Sequence, residues 1–171
     1  MAEAVSLHTG HPHLESVFGP LTEEEDAHLR VDLAQVDALL RQLARHFGQN
    51  GAGWEGTGLE LVWMRSGQTR ISSYVETMDE AQHAAAFLLE LRPSWYDGQR
   101  SGVPGWDIEM TLEVDCQPGV DHESMEAVYE RPVAHAHTPT EAVELLLAAA
   151  RDLLALGRAH PVSHWTAMGR G

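Results

Sequence analysis

A single cysteine, Cys116, is the whole thiol content of this chain of 171 residues. One thiol excludes an internal disulfide framework and suits a reducing compartment such as the cytoplasm. Basic residues are scarce as well: 11 Lys and Arg stand against 26 Asp and Glu, a formal net charge of −15 at pH 7. Such a field repels phosphate backbones and anionic lipid. It argues against nucleic-acid and membrane partners and favours encounter with basic proteins. Solubility alone is the plainer reading of the same charge. No apolar run approaches the roughly 20 residues that cross a bilayer; the longest, Leu145 to Ala150, lies within an amphipathic pattern. No Lys or Arg precedes an apolar core near the start, so a secretory signal is not expected. Gly-x-Ser-x-Gly nucleophile elbows and Gly-x-x-x-x-Gly-Lys phosphate loops are missing too.

What is present suits one globular domain: 43% of residues are hydrophobic and 22% charged. Residues 1–21, with Gly10, Pro12, Gly19 and Pro20, show no sustained period and read as a flexible arm. A helix over 22–48 follows. Thr22 and Glu25 have capping-box spacing, and Glu23 to Asp26 place negative charge at the positive end of the dipole. Leu29, Leu33, Val36, Leu40, Leu43 and Phe47 form one apolar stripe, and Gly48 is the expected stop. Residues 49–58, rich in glycine, read as a linker to a core over 59–171.

From Leu59 the period shortens to two. Leu59 to Arg65 and Thr69 to Glu76 read as a hairpin about Ser66-Gly67. Thr77 with Glu80 repeats the capping-box spacing and predicts a helix through Ala84, Ala85, Leu88 and Leu91, stopping before Pro93. Trp106 to Cys116 is the clearest strand. Trp106, Ile108, Met110, Leu112, Val114 and Cys116 fall on one face, which makes Cys116 a small core residue. Ser124 to about Arg131 returns as a fourth strand, and Pro132 marks it as an edge. Thr138-Pro139-Thr140-Glu141 opens the last helix, with Ala142, Leu146, Ala149, Leu153 and Leu156 inward and Gly157 as its end. The expected fold is a two-layer α+β domain: an antiparallel sheet of about four strands with helices on one face. Its order is strand-strand-helix, twice, after the long N-terminal helix.

The wet side of the third strand carries the strongest site candidate. Asp107, Glu109, Glu113 and Asp115 share one face with no basic residue between them. Same-face neighbours on a strand stand about 6.6–6.8 Å apart, too far to share a proton but well spaced to meet several cations of a partner. Glu126 and Glu130 on the next strand, and Glu76 on the second, extend the row. An ordinary solvated sheet face is the alternative. Trp95 and Tyr96, with Arg100 in the same loop, are candidate anchors at that interface or lids over the core.

His135 and His137, at i and i+2, project to one side of an extended segment and are candidate ligands for Zn²⁺ or another divalent metal. They face outward if Pro132 bulges the strand and inward if parity runs unbroken. A metal-dependent enzyme or sensor is therefore one alternative function. An oligomeric accessory protein, dimerising along the stripe Leu29 to Phe47, is another. His8, His11 and His13 in the arm offer at most adventitious metal capture, and Pro161 makes a regular helix through His160 and His164 doubtful.

The stretch Ala148 to Trp165, an Ala-rich helix followed by Gly157, Pro161 and Trp165, resembles the C-terminal end of some bacterial polymorphic-toxin immunity proteins. The resemblance implies a small cytoplasmic α+β protein that binds and blocks a toxin enzyme and has no catalysis of its own.

Overall fold

The computed structural model describes residues 3–6, 13–49, 53–56, 58–63, 69–94, 105–115 and 125–169. Its N-terminal part is more ordered than composition suggests. A strand β1 (Glu3–Ser6) and a one-turn helix α1 (Glu15–Phe18) both lie in the segment expected to be a flexible arm. Leu14, Val17 and Phe18, at i, i+3 and i+4, are all buried. The Trp106 indole donates to the Val17 carbonyl at 2.8 Å, and its ring meets Phe18 at 5.8 Å. One turn of apolar spacing is too short to register as a period, which is why the segment reads as structureless.

Helix α2 (Glu23–Gln49) opens as expected. The Thr22 amide donates to Glu25 Oε2 at 2.8 Å, and the Glu25 amide donates to Thr22 Oγ1 at 3.2 Å. The whole stripe from Leu29 to Phe47 is buried within this one chain, with α2 packed against α3 and the sheet.

The remaining strands are β2 (Gly53–Gly56), β3 (Glu60–Trp63), β4 (Thr69–Met78), β5 (Ala84–Pro93), β6 (Trp106–Asp115), β7 (Met125–Glu130) and β8 (Ala134–Ala136). All pairings are antiparallel, in the order β1-β3-β4-β5-β6-β7, with β2 beside the far end of β4 and β8 beside the near end of β6. The glycine-rich linker thus contributes a strand. The third and fourth expected strands are β6 and β7.

The largest correction concerns residues 77–92, which form no helix. Thr77 is fully buried inside β4, and Ala84 to Pro93 is a central strand paired on both sides, to β4 and β6. The apparent capping box is spent differently. Asp79, not Thr77, turns the chain, accepting from the amides of Ala81 and His83 at 2.9 Å each, with Gln82 at φ 65°. The open side of β5 carries Ala84, Ala86 and Leu88, so the start of the strand is apolar on both faces and shows no alternation. Such a run fits a helix as well as a strand. The order is therefore a long helix, an antiparallel meander and two closing helices.

Those are α3 (Pro139–Ala159) and α4 (Val162–Met168). Gly157 lies inside α3 rather than ending it, because a Cβ there would stand 2.3 Å from Leu43 Cδ1 and 3.5 Å from the Phe87 ring. The residue lets α3 approach α2 closely. His160 ends α3, and Pro161 precedes α4. Helices α1 to α4 all pack on the Trp106, Phe87 and Val114 side of the sheet. Among the described residues no helix covers the opposite face, and no helix is long and apolar enough to cross a membrane.

Candidate functional site

The uncovered sheet face gathers most of the acidic candidates, and the register sorts them into rows. Arg92 stands opposite Asp107, which stands opposite His135. Next comes Glu60, Ser72, Glu90 and Glu109. Tyr74, Leu88, Thr111 and Glu130 form the third row, and Glu76, Ala86, Glu113 and Ala127 the fourth.

In the first two rows Glu90 and Glu109 are paired with arginines from within. Arg92 bridges Glu90, at 3.3 Å, and Glu109, while Arg70 meets Glu90 at 2.7 Å. Glu109 is therefore not the open carboxylate that parity implies. Its arginine lay hidden in the segment read as helix; on a strand, Glu90 and Arg92 fall on the same face. Asp107 is withdrawn as well. It is buried, and its Oδ1 lies 2.8 Å from His135 Nδ1.

The other end of the face is different. Glu113 and Glu130 are diagonal neighbours, and no basic residue among the described ones is paired with either. Burial and the charge of Glu130 push the Glu113 carboxyl above the usual carboxylate value. Glu76 stands two strands from Glu113, about 10 Å away at normal strand spacing, with Ala86 between them. Asp115 closes the strand at the same end, opposite Met125.

Glu126 leaves the patch. Tyr129 pairs with Leu112 but Ala127 with Glu113, so Val128 is an extra residue on β7. That bulge reverses parity. Glu130 stays on the open face, whereas Glu126, opposite Val114, goes to the helix side. Trp95, Tyr96 and Arg100 lie outside the described residues, as do His8, His11 and Cys116.

His135 and His137 do come together, with ring centroids 4.9 Å apart; His135 is half-buried opposite Asp107, and His137 is exposed. Arg131 to Val133 break the edge strand into β7 and β8 about Pro132. The geometry around His135 is closed, however. Asp107 and the Ser94 hydroxyl, at 3.3 Å, both address Nδ1, and Nε2 is buried without a hydrogen-bond partner. Gly105 lies against this ring, and a Cβ added to it would sit 2.8 Å from that Nε2. The Ser94–His135–Asp107 trio is not a proton relay, since a relay needs Ser and Asp on different ring nitrogens. No group of three His, Cys, Asp or Glu among the described residues is arranged to hold a metal ion.

One polar centre carries no sequence signal beyond a turn. The Asp79 carboxylate accepts the two turn amides, faces His83 Nδ1 at 3.1 Å and accepts the Thr166 hydroxyl at 2.7 Å. It ties the β4–β5 turn to α4 across 87 residues of chain.

No family model, curated protein or solved structure matches this chain.

Proposed function

We propose that this chain is a non-enzymatic binding protein that docks a basic protein on its open sheet face, as an immunity-type inhibitor docks a toxin enzyme in the cytoplasm. One observation carries the reading. The same face holds two carboxylate groupings, one filled by the chain's own arginines and one left without them. Arg70 and Arg92 occupy the gaps around Glu90 and Glu109. Around Glu76, Glu113 and Glu130 the corresponding gaps hold Ala84 and Ala86. A guanidinium supplied by a partner fits over Ala86, where it meets carboxylates on both sides and relieves their mutual repulsion. The net charge of −15 adds long-range steering toward such a partner.

The test uses an octa-arginine peptide and three variants. Glu113→Gln with Glu130→Gln weakens binding at low salt. Glu109→Gln, already paired to Arg92, leaves it nearly unchanged. Ala86→Arg, which supplies the missing cation from within, abolishes it. Equal losses for Glu109→Gln and for the Glu113/Glu130 pair would falsify the proposed patch.

Stability moves the opposite way. Because the folded state holds the Glu113 proton more tightly than the unfolded state, ionisation of Glu113 costs stability as pH rises above its usual 4.5. Removing a like-charge pair of about 0.2–1 kcal/mol raises Tm by roughly 1–3 °C. Glu113→Gln shows that gain at pH 7 and loses it in acid.

A further inference from the structure

A second hollow lies away from the open sheet face. It is a cleft of about 860 Å³ between the end of α2, the β4–β5 turn and the α3–α4 junction. That volume falls in the range of small-molecule sites, roughly 300–1,000 Å³. Phe47, Met78 and Val162 supply apolar walls. Its polar lining holds one permanent cation, Arg158, with two imidazoles beside it. Arg158 and His160 come from the end of α3, and His46 from the end of α2.

Two acidic residues also line the cleft, and only one is open to a ligand. Asp79 is consumed by the turn amides, His83 and Thr166. Glu80 is exposed on the turn. Arg158 is exposed, and no carboxylate among the described residues pairs with it. His160 is held in place by stacking on His164, with ring centroids 3.9 Å apart and planes at 22°, and both rings pack edge-on against Trp165. The turn that closes the other side keeps Gln82 at φ 65°, a conformation that non-glycine residues adopt mainly where surrounding structure enforces it.

We infer that this cleft binds an amphipathic organic anion, its acidic group on Arg158 and His160 and its apolar body against Phe47, Met78 and Val162. A net charge of −15 opposes any anion. Retention of one therefore requires a local cationic site and not general attraction.

The probe is 8-anilinonaphthalene-1-sulfonate, titrated by fluorescence into the full chain, with the uncharged N-phenyl-1-naphthylamine as its neutral counterpart. The expected result is saturable binding of one sulfonate per chain. Arg158→Gln, an exposed position whose fold is checked by circular dichroism, weakens the sulfonate at least tenfold and leaves the neutral dye unchanged. Ser163→Glu puts a carboxylate on the cleft wall in the first turn of α4, where it suits the helix dipole, and weakens the sulfonate as well. Three results overturn the inference. One is the absence of saturable binding. Another is Arg158→Gln binding as tightly as the parent, which assigns the guanidinium to the helix end alone. The third is equal weakening of both dyes, which removes charge from the recognition.

Discussion

Asp79 shows how much one buried side chain settles here. Burial pushes its carboxyl up, yet hydrogen bonds from the Thr166 hydroxyl and from the His83 amide and ring outweigh burial and hold it below the usual carboxylate value. The sign of the linkage follows. The unfolded chain binds the proton more readily, so this stabilisation is present above the usual value of 3.8 and is lost as pH falls through the folded one. Asp79→Asn keeps the shape but removes the charge-assisted bonds, a loss of about 2–4 kcal/mol at pH 7. Thermal melts should show a Tm several degrees lower for the variant at pH 7 and a narrowing gap toward pH 3. A pH-independent gap would mean that shape, and not charge, holds the turn.

Among the elements, the two long helices were legible because each repeats its signal over many turns and carries its own cap. The Thr138 hydroxyl accepts the Glu141 amide at 3.2 Å with Pro139 at the first helical position, as the motif predicts. Strand β6 was legible for the same reason: its alternation is driven by one dry face and one wetter one. Strand β5 was not, because Ala84, Ala86 and Leu88 are apolar on the open side as well and erase that contrast. The Val128 bulge was also invisible, since only the partner strand defines a register. It removed Glu126 from the site while leaving Glu130 in it. Gly157 belongs to this scale as well. A mid-helix Gly→Ala change normally gains up to about 1 kcal/mol. Here the methyl meets Leu43 at 2.3 Å, and overpacking of a filled interface costs about 1–3 kcal/mol. Gly157→Ala therefore lowers Tm by several degrees; a raised Tm shows that Leu43 yields freely.

At the scale of the whole molecule, the imbalance of charge sets both stability and encounter. All 11 cations are arginines, for the chain contains no lysine. Several of them are spent internally, as at Asp26, Asp37, Glu90, Glu109 and Asp152. Exposed ion pairs contribute at most about 1 kcal/mol each, whereas a surplus of −15 repels itself across the entire surface. Raising NaCl from 10 mM to 0.3 M shortens the screening length from about 30 Å to under 8 Å. Calorimetry should find Tm higher at the higher salt. A lower Tm would show that the ladder of Arg70 and Arg92 outweighs the net repulsion.

The fold class, the long helices, the clean strand and the acidity are properties of residues and their near neighbours along the chain. Period, caps and charge counts are local quantities, so the sequence alone determined them. Which carboxylates remain open was decided only in three dimensions. Strand register put Arg92 beside Glu109, one extra residue on β7 turned Glu126 away, and the β5 alanines left Glu113 without a cation. Those outcomes depend on cross-strand partners in other segments of the chain, and no pattern within one segment encodes them.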